Sequence, residues 1–312
     1  MKKSTPRVRA WQRDAATGAK LLVLLLAFAW GFNWIAAAVA LREVPPWSLR
    51  FVGTGIGALA LLIAVPLSGR KLAVSGAQFK HIAIAGFFNV AFFNICSAFA
   101  QLNGATSRVV IITYSMPIWT TALSCLLLGE QLNRVRIVAL TLCIAGLGIL
   151  VEPLFAAGLP LGVFLALGSA FGWTIATVYV KWAKLNVDPL TNAAWQLTFG
   201  TALIAIGMFV FDGYPRVWPI GIEYAIAILF IGLFGVGLAH FLWWTIIARL
   251  PATTAALGSL LVPVIGVVGS AVILGERPTL TDIVGFALIF AAAACVLLQK
   301  SEKATLRAEM PE

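Results

Sequence analysis

Charged residues are scarce in this 312-residue chain, making up 11% of it, whereas 61% is hydrophobic. A soluble domain carries roughly 25% charged residues, and a water-soluble core of this length cannot bury so much apolar surface. The apolar residues form blocks of about 20, the length that crosses a bilayer as a helix. The short alternating segments typical of a membrane β-barrel are missing from the pattern. The composition therefore predicts an all-α integral membrane protein.

Groups that would support catalysis or metal binding are also rare. No Asp or Glu lies in the middle of an apolar block, and the chain has only two histidines. None of the four cysteines belongs to a CxxC or metal-ligand spacing, and no phosphate-binding loop is present. We therefore expect no metal, no cofactor and no direct use of ATP. The missing buried carboxylates also argue against a tightly proton-coupled drug pump. The cysteines are Cys96, Cys125, Cys143 and Cys295.

The net charge of +10 reflects membrane topology and predicts no nucleic-acid partner, because no recognition motif accompanies it. If the chain spans the membrane ten times, 17 of its 22 basic residues lie on the side of the N-terminus. Basic residues are retained in the cytoplasm. We expect a multi-pass protein of the inner (plasma) membrane with both termini cytoplasmic.

Ten spans are predicted, with a cytoplasmic tail at 1–20, five-helix repeats at 21–152 and 160–299, and a cytoplasmic tail at 300–312. A cleaved secretory signal ending near Ala27-Phe28-Ala29 is the alternative for the first span. The apolar run continues to Leu41, which favours a retained helix. The predicted spans are 21–41, 47–67, 81–101, 107–128, 134–152, 160–181, 190–211, 222–246, 253–274 and 281–299.

The two halves of the chain repeat one another. Pro117 followed by Gly129-Glu130 recurs as Pro263 followed by Gly275-Glu276, at an offset of 146 residues. Five spans per half is an odd number, so the second half enters the bilayer from the opposite side. The sequence thus predicts two inverted repeats around a central cavity. Further matches at offsets between 141 and 146 are Gly86 with Gly232, Gly57 with Gly200, and Trp30-Gly31-Phe32 with Phe171-Gly172-Trp173.

The chain resembles the EamA-type transporters of the drug/metabolite transporter superfamily over about 21–299. The resemblance rests on Trp30-Gly31-Phe32-Asn33, on Pro45-Pro46 with Arg50-Phe51, and on the duplicated Pro…Leu-Gly-Glu segments at 117–130 and 263–276. It implies ten helices around a central cavity and the movement of small metabolites. Within the family, exporters of aromatic and other amino acids are the most similar subgroup.

Polar and aromatic residues inside the spans are the candidates for substrate binding. Asn94 and Gln101 share one helix face with Ser97, which either lines a cavity or joins helices. His240 either orients a substrate or is a hydrogen-bonded packing residue. Arg50 and Arg108 either reach the lipid headgroups or meet a substrate carboxylate. The predicted substrate-binding residues are Asn33, Asn94, Gln101, Tyr114, Trp173, Tyr179, His240 and Trp244, and the predicted hinges are Pro117 and Pro263.

We expect a secondary transporter that exports amino acids, aromatic ones among them, across the inner membrane by alternating access between its two halves. Its expected partners are a small-molecule substrate and the lipid bilayer. The sequence does not determine the oligomeric state, and a monomer is compatible with it. An exporter of drugs or other neutral metabolites is the alternative. A membrane-embedded enzyme needs clustered acids, bases or metal ligands and a channel needs a selectivity filter, and neither pattern is present.

Overall fold

The architecture is ten membrane-spanning α-helices, α1 to α10, in two inverted repeats of five. The structure, a computed structural model, describes residues 6–156, 161–218, 220–275, 277 and 279–298, so the predicted tail 300–312 lies outside it. Among the described residues, nine helices contain apolar stretches long enough to cross a bilayer, and α10 has a shorter one, Leu280–Cys295. The prediction of an all-α fold with ten spans is confirmed.

The first repeat alternates direction from helix to helix. Its first helix begins at Pro6, within the predicted tail, and its membrane-spanning part is Leu21–Ala40. We call the side at which Leu21 lies the N-terminal face and the other side the far face. The helices are α1 (Pro6–Ala40), α2 (Pro46–Leu67), α3 (Gly76–Leu102), α4 (Thr106–Leu128) and α5 (Arg134–Ala156).

The second repeat begins at the far face, because five spans precede it. Each of its helices therefore runs opposite to its counterpart in the first repeat, as expected for inverted repeats. The helices are α6 (Leu161–Trp182), α7 (Pro189–Phe211), α8 (Ile222–Arg249), α9 (Ala252–Ile273) and α10 (Leu280–Leu298).

The third helix of each repeat contains a π-helical segment at the same place. In α3 it covers Phe87–Phe92 and in α8 it covers Ile231–Leu238. A π-turn inserts an extra residue into the backbone ladder and often marks a functional site.

The fourth helix of each repeat is broken in the middle. α4 consists of Thr106–Thr113 and Met116–Leu128, and α9 consists of Ala252–Gly258 and Leu261–Ile273. Pro117 and Pro263 thus lie in the first turn of the second segment, where a backbone N–H has no helical partner to lose. The predicted hinge residues therefore follow a real interruption of the helix.

Glycines allow the two repeats to pack closely. A Cβ added to Gly57 of α2 would lie 2.9 Å from the backbone oxygen of Gly232 in α8. The counterpart contact joins Gly200 of α7 to α3, where an added Cβ would lie 3.1 Å from the Gly86 oxygen. Small residues permit such approach between helices in lipid. Both π-helical segments are therefore braced by the second helix of the other repeat.

Helices α2 and α7 are also joined at both ends. At the N-terminal face Arg70 donates to both carboxylate oxygens of Asp188 at 2.9 Å, and Trp195 Nε1 donates to the Leu72 carbonyl at 2.8 Å. At the far face the Ser48 backbone N–H and hydroxyl both donate to Asp212 Oδ2, at 2.9 and 2.6 Å. Bonds between the repeats thus hold α2 and α7 together at both faces.

Candidate functional site

A cavity lies between the two repeats, and its lining runs from mid-membrane toward the far face. Ala37 near the end of α1, Arg50 near the start of α2 and Ser97 in the last third of α3 form its outer part. Trp173 of α6 and His240 of α8 lie deeper. The space not filled by atoms measures about 480 Å³, including its open mouth.

Among the described residues that line the cavity, Arg50 is the one cation, and it is almost completely buried, with 3% of its surface exposed. Its Nη2 donates only long bonds of 3.4 Å, to Ser97 Oγ and to Gln101 Oε1, and its Nε has no partner. Among the described residues no carboxylate lies within salt-bridge distance of it. A buried charge without a partner is costly, so an anion that entered the cavity would meet a guanidinium with free donors there.

Two equivalent residues, Asn94 of α3 and His240 of α8, line the same cavity. Asn94 Nδ2 donates to the Val90 carbonyl at 2.8 Å, and His240 Nδ1 lies 2.9 Å from the Val236 carbonyl. A carbonyl can only accept, so that bond assigns the imidazole proton to Nδ1 and leaves Nε2 as an acceptor. His240 Nε2 and Asn33 Oδ1, both on cavity-lining residues, are buried and have no partner among the residues that the structure describes.

Aromatic rings form the walls and the floor. The Trp30 and Trp173 ring centroids are 5.0 Å apart in an edge-to-face arrangement, and Phe93 lies 5.0 Å from Trp173. Trp243, behind the lining, contacts both tryptophans at 5.5 Å. The Tyr114 side chain is hydrogen-bonded to that of Trp34. Such surfaces suit a flat apolar group, because aromatic pairs favour these spacings.

The N-terminal side of the bundle is closed by bonds that cross between the repeats. Glu130, after α4, accepts from the backbone N–H groups of Ala252 and Thr253 at the start of α9, at 2.8 and 3.2 Å. His81 Nδ1 lies 2.6 Å from the Tyr179 hydroxyl. Glu130 therefore caps a helix N-terminus, in keeping with a structural turn at the Gly-Glu pair.

Comparison with known proteins identifies this arrangement. The model of the EamA-like transporter family matches the chain twice, over 17–151 and 160–298. The chain belongs to the EamA-like transporter family. Each match covers one five-helix half. It is thus a multi-pass membrane protein of a transporter family, and the resemblance seen in the sequence is confirmed.

Individual relatives of this EamA-like protein are similar over most of their length. An uncharacterized transporter of Bacillus subtilis (strain 168), YvbV, is 28% identical over 92% of this chain and 93% of its own. A probable amino-acid metabolite efflux pump of Escherichia coli (strain K12) is 27% identical over 86% and 91%. A solved crystal structure superposes with a TM-score of 0.71 at 22% identity, covering 90% of this chain and 98% of that one, which shows the same fold.

The EamA-like cavity brings together five of the residues that the sequence singled out. Gln101 is adjacent to it, because it accepts from Arg50 and donates to the Trp34 carbonyl at 3.1 Å. Tyr179 lies instead at the N-terminal face beside His81, and Trp244 is buried behind the lining. The five that line the cavity are Asn33, Asn94, Tyr114, Trp173 and His240.

Arg50 was not among the predicted substrate-binding residues, and of its two interpretations the structure supports the cavity over the lipid headgroups. The signal in the sequence was an arginine five residues into a span whose neighbours Phe51 and Val52 are apolar. Arg108, the other candidate, is exposed at the far face. Among the described residues no group of acidic, histidine or cysteine side chains has the arrangement of a metal site.

Proposed function

We propose that this protein exports amino acids across the inner (plasma) membrane by alternating access between its two five-helix repeats, 21–152 and 160–299. The observation that carries the proposal is Arg50, a buried guanidinium without a carboxylate partner in a cavity between inverted repeats. A carboxylate is the group that best matches its planar set of donors.

The remaining polar groups of the cavity match the other end of a zwitterion. An ammonium group has three donors and no acceptor, and His240 Nε2 and Asn33 Oδ1 supply unpartnered acceptors. A free amino acid would then bind with its carboxylate at Arg50 and its ammonium deeper in the cavity. The likeness to relatives called probable amino-acid metabolite efflux pumps supports the same class.

The tryptophan walls favour an aromatic or large apolar side chain. Trp30, Trp34, Phe93 and Trp173 line the cavity on α1, α3 and α6, where an apolar side chain of the substrate would contact them. An aromatic ring that enters gains apolar burial and edge-to-face contacts together. Aromatic amino acids are therefore the first substrates to test, ahead of small polar ones.

Three related ligands test this proposal. Phenylalanine has both charged groups, 2-phenylethylamine lacks the carboxylate, and 3-phenylpropionate lacks the ammonium. We expect phenylalanine to raise the melting temperature of purified protein, since a ligand that binds only the folded state stabilises it. Loss of the carboxylate should weaken binding by roughly 10- to 100-fold, about 1.5–3 kcal/mol for a charge-assisted bond.

The transport activity itself is measured in proteoliposomes loaded with labelled phenylalanine. Exit that saturates, and that competing amino acids inhibit, supports an exporter. Equal binding of phenylalanine and 2-phenylethylamine would instead favour the alternative of a drug or neutral-metabolite exporter. No transport of amino acids by folded protein would contradict the proposal. Cysteine labelling at the two termini in sealed cells tests their cytoplasmic location, which the basic-residue bias supports.

A further inference from the structure

Four buried polar side chains with unpartnered atoms lie just beyond the floor of the cavity. Within the part of the chain that the structure describes, no hydrogen-bond partner is found for either amide atom of Asn89, for Oγ1 of Thr177, for Oε1 of Gln196 or for Nε1 of Trp243, and each residue is at most 1% exposed. We call these residues the buried polar cluster. Buried polar groups are nearly always paired, so four unpaired ones on four helices need an explanation.

The buried polar cluster continues the cavity toward the N-terminal face. Thr177 is one turn beyond Trp173 on the same face of α6, and Trp243 is nearly one turn beyond His240 on α8. Asn89 lies one π-turn before Phe93 on α3. Each step goes toward the N-terminal face, given the direction in which each helix runs.

The helices that carry the buried polar cluster pack against one another. The Trp243 and Trp173 rings are 5.5 Å apart, which joins α8 to α6. A Cβ added to Gly86 of α3 would lie 2.8 Å from the backbone oxygen of Gln196 in α7. The π-helical segment of α3 also contacts both α6 and α7. These four helices enclose one closed region of the bundle.

The internal symmetry places two of the four residues of the buried polar cluster, Asn89 and Trp243, at images of residues that line the open cavity. At the repeat offset of 146 residues, Asn89 corresponds to Gly235 and Trp243 corresponds to Ser97, and both of those counterparts line the cavity. The pseudo-two-fold axis exchanges the N-terminal face with the far face. In inverted-repeat transporters the opposite-facing state arises when the halves exchange their arrangements.

We propose that the buried polar cluster lines the passage between the cavity and the N-terminal face in the alternate conformation of the protein. There, water or the polar ends of the substrate would pair the atoms that are unpartnered in the closed arrangement. The contact among Trp30, Trp173 and Trp243 is the barrier that must separate. This inference rests on the proposed alternating access and identifies its second pathway.

Single cysteines in a background with all four native cysteines replaced by alanine test the passage. The reporters are Thr177→Cys in the buried polar cluster and Ala37→Cys in the open cavity. The matched control is Thr174→Cys, equally buried on the same helix, whose native hydroxyl lies 3.2 Å from the Thr120 hydroxyl. Each variant is treated with a membrane-impermeant thiosulfonate reagent in right-side-out and inside-out vesicles, with Lys184→Cys marking the N-terminal face.

We expect Thr177→Cys to react only from the N-terminal face and Ala37→Cys only from the far face. Thr177→Cys should react at least about tenfold faster than Thr174→Cys, because a minor conformation populated at 0.1–10% suffices for labelling. Equal rates at positions 177 and 174, or no reaction at 177 while Ala37→Cys reacts, would overturn the passage. If Thr177→Cys does not fold, Gln196→Cys reports on the same region and carries the same expectations.

The labelling result does not depend on the substrate. Labelling of Thr177→Cys and Ala37→Cys from opposite faces, in protein that transports no amino acid, would contradict the proposed function and support the passage. Transport of amino acids by the Thr177→Cys protein without any labelling would overturn the passage and leave the function intact. The two failures are therefore distinguishable.

Discussion

The third helices of the two repeats share a backbone design but differ in chemistry. Both α3 and α8 contain a π-helical segment, and both follow it with a polar residue bonded to the carbonyl four residues earlier. That residue is Asn94 in α3 and His240 in α8. The duplicated geometry points both side chains into one cavity, while their different functional groups make the cavity asymmetric.

The second helices differ still more. Arg50 of α2 corresponds to Ala193 of α7 at the repeat offset of 143 residues. The first repeat therefore supplies the buried positive charge, and the second repeat supplies the imidazole acceptor and Trp173. Symmetry accounts for the two-sided scaffold, whereas divergence between the halves gives the cavity a cationic end and an acceptor end.

The largest expected effect comes from replacing Arg50, the charged residue that α2 has and α7 lacks. Arg50→Gln should weaken phenylalanine binding roughly 100-fold, because the carboxylate loses its buried charged partner and about 2–5 kcal/mol is typical of such truncations. Isothermal titration of purified protein measures it. Arg108→Gln, an exposed arginine of the same face, is the control and should bind normally. Equal loss in both variants would mean that Arg50 acts only through surface charge.

The glycines that brace the π-helical segments test what the repeats have in common. Gly57→Ala and Gly200→Ala should each destabilise the fold by about 1–3 kcal/mol, since overpacking against backbone atoms cannot be relieved by side-chain rotation. Thermal unfolding in detergent measures the loss. Gly148→Ala, where an added Cβ meets nothing within 4 Å, is the control. If only one of the symmetric pair is sensitive, the bracing is not shared.

Making the third helices alike should have a smaller effect. His240→Asn keeps a donor for the Val236 carbonyl, as Asn94 has for Val90, but withdraws the imidazole acceptor from the cavity. We expect roughly tenfold weaker binding of phenylalanine, about 1.4 kcal/mol, and little change for 3-phenylpropionate, which lacks the ammonium. Titration with both ligands distinguishes the loss of an ammonium partner from a general loss of binding. Equal losses for both would show that His240 has a packing role.

The smallest effect is expected at the two prolines. Pro117→Ala and Pro263→Ala should slow transport roughly threefold while leaving the folded yield nearly unchanged, because residues at hinges absorb backbone rotation without touching the substrate. Initial rates in proteoliposomes and size-exclusion yield are compared for each variant. Matching losses of rate and yield would contradict a hinge role.

Periodicity and the internal repeat predicted most of the fold, because lipid restricts a spanning backbone to helices and an odd span number requires inversion. The π-helical segments were not predicted. A π-turn depends on how one backbone packs against another, and here Gly57 and Gly200 of distant helices provide that contact. The extension of α1 back to Pro6 was also missed, since residues 6–20 lack the apolar pattern of a span.

The candidate site was predicted less completely, for a similar reason. Asn94 and His240 were visible as polar residues inside apolar spans. Arg50 was ambiguous, because a residue near a helix end reaches headgroups or a cavity depending on rotation about the helix axis. Tyr179 was predicted to bind substrate but lies outside the cavity, because the approach of α3 to α6 brings it to His81. Contacts between distant helices decide these roles, and local sequence does not contain them.

The bonds at both ends of the α2–α7 pair limit the kind of movement available to the protein. Two helices bonded to each other at both ends can rotate against each other, but their ends cannot separate. The bonds that do this join Arg70 to Asp188 and Ser48 to Asp212, so α2 and α7 would move as one unit. If the protein works by alternating access, as proposed, opening on either face falls to the helices that flank this pair, and the substrate passes beside the pair.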